Sequence, residues 1–328
     1  MSKFIGRQLS IGIAKEATRG TGVAATFWLP KTDITVDDIV NPIVDGSGIA
    51  IIEDSINQEN ATKAMAGSIS GRVYDQSFGL LLHATIGSNT QAVVGGETVI
   101  YDHTFAVLES AQHPTLTVSV AEGNVGTGIW HTLCAVDQLE IDFEVGKFMT
   151  YKADFKGNAN VAQAVTAAFV AENGFDPQDG AVVTAANIAG LSSPVTVTVK
   201  KGTIVFKKNI EEDFVIGSMA AADRLNKEFS VEGTLELFYQ DRVFIDTDML
   251  ADLAQALRIT LTNSRVTIGV SSHPTVTITL AKVKIQSVAK KAPNGSIVSE
   301  TVKFKAFYSI ADTSMVSIVL RNARTTVY

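Results

Sequence analysis

A chain of 328 residues with 46% apolar and 19% charged side chains can bury a large core, as one large domain or as two of ordinary size. Its formal net charge of −7 excludes a surface built to grip nucleic-acid phosphates, and its single cysteine, Cys134, excludes an internal disulfide and the common zinc clusters. No stretch approaches the roughly 20 apolar residues of a membrane-crossing helix, and the opening MSKFIGRQLSIGIAKE lacks the basic start, apolar run and cleavage site of an export signal.

The abundance of Val, Ile, Thr, Ala and Gly predicts a mainly β protein. Alternating apolar and polar residues predict strands over 67–73, 115–120, 137–156, 195–206, 228–238, 258–262, 275–287 and 300–307. Helical spacing predicts two helices, SFGLLLHATIG at 77–87 and DTDMLADLAQAL at 246–257, the second opened by an Asp or Thr cap. Each helix follows strands and precedes strands.

That order predicts a duplication. The stretch at 48–57 resembles 202–211, and 67–76 resembles 229–241. After the helix, 114–120 corresponds to 257–263 and the hairpin 137–156 to 281–307. The predicted organisation is a first domain over 1–157, a connection or small insertion over 158–194, and a second domain over 195–328. Residues 88–110 fall outside the repeat and read as a long loop that projects as a hairpin around Gly95 and Gly96. Loops of that length are usually functional or ordered by a partner.

No enzyme signature is present. The five histidines, His83, His103, His113, His131 and His273, have no metal-ligand spacing. The carboxylates of DTD at 246–248 read as helix caps, TRGTGVAA at 18–25 lacks the G-K-[ST] ending of a phosphate loop, and DGSG at 45–48 lacks the closing Glu of a calcium loop. No catalytic residue, cofactor or metal is therefore expected.

The hairpin DQLEIDFEVGKFMTYKADF at 137–155 sets Leu139, Ile141, Phe143 and Val145 on one face against Glu140, Asp142 and Glu144 on the other, with little in sequence to hold these carboxylates. The returning strand adds Lys152 and Asp154 to the polar face, and the second copy carries Lys282, Lys284, Lys303 and Lys305 there. A solvated sheet face accounts for such a pattern. A strand set this regular also leaves edges that invite a neighbour, unless a barrel closes them.

The opening IGIAKEATRGTGVAATFWLPKT at 11–32, GSISGRVYDQSFGLLLHATIGS at 67–88 and HTFAVLESAQHPTLTVSV at 103–120 resemble the major tail tube proteins of long non-contractile-tailed, siphovirus-type bacteriophages. The resemblance implies two tandem tail-tube-like β-sandwich or barrel domains, each with a flanking α-helix, that join neighbours into a continuous β-barrel. It implies a virion structural protein, assembled in the host bacterial cytoplasm, whose rings stack into a hollow tail tube for genome ejection. Six tube domains usually complete a ring, so two per chain give a homotrimer with pseudo-sixfold symmetry, and one per chain a hexamer. Partners implied are the chain itself, the tape measure, tail terminator and distal tail proteins, and double-stranded DNA that passes without specific binding. Glu140, Asp142, Glu144, Lys152, Asp154, Lys282, Lys284, Lys303 and Lys305 are then candidates to face the lumen. Gly95, Gly96, Thr98, Trp28 and the N-terminal segment are candidates for contacts between rings. The competing reading, a soluble carbohydrate- or cell-surface-binding β protein, needs an exposed aromatic cluster around Trp28 and Trp130.

Overall fold

The computed structural model describes residues 5–50, 52–55, 57–123 and 127–328. The first part of the chain supplies β1 (Leu9–Lys15), β2 (Phe27–Leu29), β3 (Lys31–Asp45), β4 (Asn57–Arg72), helix α1 (Phe78–Ile86), β5 (Gly87–Val93), β6 (Tyr101–Val107), β7 (Leu116–Glu122), β8 (Gly128–Glu144), β9 (Thr150–Gly157) and β10 (Val161–Ala162). The rest supplies β11 (Gly180–Ala185), β12 (Val195–Val197), β13 (Val199–Lys207), β14 (Glu211–Asp213), β15 (Asp223–Leu225), β16 (Ser230–Phe238), β17 (Gln255–Thr262), β18 (Thr275–Lys291), β19 (Ser299–Phe307) and β20 (Val316–Asn322).

One antiparallel pairing pattern occurs twice. The first set runs β2–β1–β7–β8, with β10 on the other edge of the first half of β8; the second runs β12–β11–β17–β18, with β20 in the place of β10. The late halves of the two long strands enter a different sheet, ordered β3–β4–β9–β8 and β13–β16–β19–β18, and β8 pairs with β13 to make these eight strands continuous. Each long strand has an irregularity where it changes partners, between Val136 and Gln138 in β8 and between Ile285 and Ser287 in β18. An extra residue bends and twists a strand, so Asp137 and Gln286 let one strand serve two sheets.

Along β9, β13, β16 and β19 alternate residues are buried, as the period of two requires, and one face of the eight-stranded sheet packs inward. Leu139, Ile141, Phe143, Ile204, Phe206 and Phe304 lie there in a single core that also takes in α1. All nine residues of α1 are buried, with Ser77 at its start. Glycine makes room in two places: a Cβ at Gly202 would collide with the Phe143 ring, and one at Gly233 with the Phe304 ring.

The structure differs from the sequence expectations at four points. The second helix is only a π-helical turn at Val243–Met249, and the apolar Ala256 and Leu257 belong to β17, where pairing with β11 and β18 overrides helical spacing. The 88–110 stretch forms the hairpin expected around Gly95 and Gly96, as β5–β6, but it is not a loop outside the sheets, because β6 also pairs with β20 and places the fully buried Phe105 opposite Ile318. In pairing order the counterpart of β13 is β3; the 48–57 stretch instead lies beyond β3, with residues 51 and 56 outside the described set. Between 158 and 194 the chain first runs along the first strand set, then enters the second as β11. On the way Val165 packs with Trp28, and Phe175 is buried between backbone bonds to Val73 and Met149. Within one chain the sheet remains open, with no closed barrel among the described residues.

Candidate functional site: a polar sheet face with two open edges

The outer face of the eight-stranded sheet carries the alternate residues the core does not take. Its register forms an unbroken row across all eight strands: Asp33, Ser70, Lys152, Glu140, Val205, Glu232, Lys305 and Lys284. The next row in one direction places Asp142 beside Thr203, Thr234 and Lys303, and a further one places Glu144 beside Lys201, Glu236 and Thr301. In the other direction Asp154 lies opposite Gln138, which faces Lys207. Eight of the nine sequence candidates, all but Lys282, thus stand in rows on one surface. Lys282 joins them at the rim, opposite the half-exposed Phe307.

These carboxylates are held. Glu144 pairs with Lys147 at 2.9 Å and Lys201 at 3.9 Å, and the bond from Lys147 keeps its carboxyl below the usual range. Asp142 accepts from the Thr203 hydroxyl. Glu140 moves the other way: partial burial, then the neighbouring Asp142, raises its pKa, although Lys152 opposes the shift. Glu232 sits between Lys207 at 3.3 Å and Lys305 at 3.7 Å, and Lys152 pairs with Asp154 at 3.3 Å. The sequence pattern suggested an acidic half and a basic half; the register mixes them where Glu140 faces Lys152, Glu144 faces Lys201 and Glu232 faces Lys305, while at the β18–β19 end Lys305 faces Lys284, which pairs with Asp252 at 2.6 Å. Exposed pairs of this kind contribute about 0–1 kcal/mol each, so the surface is defined by its mixed charge more than by its stability.

Among the described residues, the late part of β18 beyond Lys284 pairs only with β19, and at the other end β3 pairs only with β4. Both are open edges. From residue 40 outward, β3 and the opposing start of β4 form a two-stranded arm that carries the exposed Val40, Ile43 and Val44. Asp33 and Asp37 have no ion-pair partner among the described residues, whereas Asp38 accepts from the Asn160 backbone and side chain.

Where β8 meets β13 the edge is closed and clasped. The chain leaving β13 is received by the bulge residue: Lys208 N–H donates to the Asp137 carbonyl at 2.9 Å, and Ile210 N–H to the Asp137 carboxylate at 2.8 Å. The hairpin β14–β15 then lies back over the first strand set. Its Arg224 is fully buried and donates to Glu212, to the carbonyls of Leu133 and Gly157, and to the Asn158 side chain. Beside it Arg19 pairs with Asp223 at 2.6 Å. Two further buried charges stand in the same region. Glu16 accepts from Gly20 and Leu133 N–H and from the hydroxyls of Thr115 and Thr117. Lys208 donates to the Ala84 carbonyl at the end of α1, and burial pushes its pKa down to about 7. Nothing in the sequence marks these residues, because whether a charge is buried depends on contacts between distant segments.

Of the residues expected between rings, Gly95, Gly96 and Thr98 lie exposed at the tip of β5–β6. The base of that turn is fixed: Glu97 accepts from the N–H groups of Val270, Ser271 and Ser272, which holds its pKa near the bottom of the carboxylate range, at about 2. Trp28 is 6% exposed and packs with Ala121 and Val165, its ring 6.2 Å from Phe169. It is a core residue of this chain, and Trp130 packs against the same cluster. The aromatic surface required by the carbohydrate reading is therefore not formed by these tryptophans. Residues 1–4 of the N-terminal segment lie outside the described set, and residues 9–15 form β1 inside the fold.

A cleft of about 800 Å³ opens beside Leu108, His113, Phe229, Tyr308 and Met315. Its two buried bases are already engaged: His113 Nδ1 lies 2.9 Å from the Thr85 carbonyl, and Lys208 is bound to Ala84. Among the described residues no group of three His, Cys, Asp or Glu could hold a metal ion, and no helix is long and apolar enough to cross a membrane. The feature left to explain is the broad polar face and its edges. A family model described as phage tail tube protein matches residues 6–306 of the chain. Comparison with curated proteins gives no match.

Proposed function

The chain belongs to the phage tail tube protein family, and from that premise we propose that it forms closed rings by sharing sheet edges, which stack into the hollow tail tube of a siphovirus-type virion. Each chain contributes two tube domains that arose by duplication, and three chains make one pseudo-sixfold ring. The observation that carries this reading is the β8–β13 pairing: two strand sets of the same order are already joined edge to edge, and the combined sheet ends in two further open edges. Edges of this kind are closed by pairing with another chain or left open to aggregation. Three copies of the eight-stranded sheet would make a barrel of about 24 strands, wide enough to hold an aqueous channel.

The polar face with Glu140, Asp142, Glu144 and the lysine rows then lines the lumen, and the apolar face supports it from outside. Interleaved charges suit a conduit for genome ejection. Carboxylates repel DNA phosphates, the pairs Lys201–Glu144, Lys207–Glu232 and Lys152–Asp154 interrupt any basic track and confine it to the β18–β19 end, and a double helix can pass without being held. The exposed tip at Gly95, Gly96 and Thr98 is available for contact with the next ring. The role is structural, in the virion tail, with the tape measure, terminator and distal tail proteins as neighbours along the tube.

Electron microscopy of the purified protein at high concentration, with native mass spectrometry of the smallest ring, tests the proposal. The expected result is stacked rings of three chains with six similar lobes. A chain that stays monomeric under all assembly conditions would overturn it.

A further inference from the structure

We infer that the open edge of β18 pairs antiparallel with β3 of a neighbouring copy in one defined register, with Ala289 opposite Asp37 and Lys291 opposite Thr35. This inference rests on the ring reading and goes further by fixing which residues meet.

The register comes from the junction the chain makes with itself. The bulge residues Asp137 and Gln286 occupy the same place in β8 and β18. Phe155 lies opposite Gly67, and Gly67 opposite Val36; in the second set Phe304 lies opposite Gly233, and Gly233 opposite Ile204. These anchors make Glu140 the counterpart of Ala289 and Val205 the counterpart of Asp37. Glu140 faces Val205 across β8–β13, so the same geometry between chains sets Ala289 against Asp37. The pleat agrees, since Ala289 lies opposite Thr301 and Asp37 opposite Ala66, both on the polar side of the sheet.

Charge complementarity supports the pairing independently. On the polar side Lys291 would sit diagonally between Asp33 and Asp37, which lack ion partners among the described residues. On the other side Lys290 would sit diagonal to Asp38. Diagonal neighbours in a sheet are about 7–8 Å apart, within reach of a lysine side chain. A shift of one residue would send every side chain to the wrong face, and a shift of two would move Lys291 to one end of the acidic run.

Carbodiimide coupling of assembled wild-type tubes, mixed from ¹⁴N and ¹⁵N chains, tests this without a substitution. The expected product is an interchain peptide joining Lys291 to Asp33 or Asp37. The intrachain pair Lys201–Glu144, at 3.9 Å, reports that the reagent acts on pairs of this kind. As a second measurement, the double variant Ala289→Cys with Asp37→Cys should oxidise to covalent dimers and trimers. The three-residue offset pair, Ala289→Cys with Val40→Cys, should give at least tenfold less. Cys134 is fully buried and does not compete. Tubes that form but give the Lys201–Glu144 link alone, or link more readily at the offset pair, would overturn this register and leave the ring intact. Failure of the wild-type chain to assemble at all would overturn the ring itself, and this junction with it.

Discussion

Arg224→Leu should release the clasp between the two strand sets without unfolding either. The guanidinium is fully buried and makes five contacts, at 2.6 Å to the Gly157 carbonyl, 2.8 Å to Asn158, 3.3 Å to the Leu133 carbonyl, and 2.8 and 3.1 Å to Glu212. Breaking a buried ion pair from one side costs about 3–5 kcal/mol. Glu212 is 27% exposed and can rehydrate once β14–β15 lifts, which places the loss near the low end, about 3 kcal/mol. Hydrogen exchange reads this directly, since about 3 kcal/mol corresponds to roughly a hundredfold loss of protection. The loss should be confined to β14, β15 and the facing backbone at 133 and 157–158, while Ile141 and Ile204 in the β8–β13 pairing keep theirs. Arg224→Lys, which retains the charge but not the fork, should fall between. Protection within threefold of wild type in the leucine variant would refute the argument that this hairpin is held by its arginine.

Acid should weaken the fold through its buried imidazoles. Burial, with Lys15 and Lys208 nearby, pushes His83 and His113 down to about 4, so the unfolded chain binds more protons than the native one between pH 6.5 and 4. Stability is therefore lost as pH falls through that window, by up to about 1.4 kcal/mol per pH unit for each imidazole. Denaturant titrations at pH 6.5 and 4.5 check this, and His113→Leu should remove part of the slope and leave the share of His83 and of the buried His103 and His131, whose pKa values are lowered too. Gly202→Val should cost about 1–3 kcal/mol or more because the Phe143 ring must move. Gly95→Val meets open space and should leave folding within about 0.5 kcal/mol, so any defect it causes would appear in ring stacking by microscopy. Reversing Glu140, Asp142 and Glu144 to Lys should leave particles assembled but slow DNA release. Unchanged ejection kinetics would remove the lumen from this face while leaving the tube.

Most strands of the polar face were legible because a sheet with one wet side writes its period of two into the sequence: 137–156, 228–238 and 300–307 all fall on observed strands. β20 carries the same signal in Val316, Ile318 and Leu320, all buried, and could have been read. The helix expected at 246–257 could not be corrected from sequence. Its apolar spacing is real, and only the partners β11 and β18 decide that Ala256 and Leu257 extend as strand. The hairpin inside 88–110 was legible at Gly95–Gly96, but its pairing with β20 joins residues more than two hundred positions apart. The same separation hides Arg224 over Leu133 and Lys208 at the end of α1. For the acids, the sequence showed a face without its neighbours: Asp142 gains its hydrogen bond only when the Thr203 hydroxyl arrives from another strand set.

The two junctions need not be equally strong, and their residues suggest why. Inside the chain the inward side of β8–β13 sets Leu139 against Phe206 and Ile141 against Ile204, all buried, and the covalent link makes this contact unimolecular. The proposed junction between chains sets Val288 and Lys290 against Asp38 and Val36, with Pro42 and Pro293 nearby. Charges and prolines on an edge discourage promiscuous pairing, so a chain waiting to assemble is protected from aggregation by the residues that recognise its proper neighbour. Because lysine lies on one edge and aspartate on the other, like edges repel and only a head-to-tail contact is favoured. That is the polarity a closed ring requires. Raising salt should therefore slow ring formation while leaving the β8–β13 contact intact, and assembly rates that do not change with ionic strength would show that the edges find each other by something other than charge.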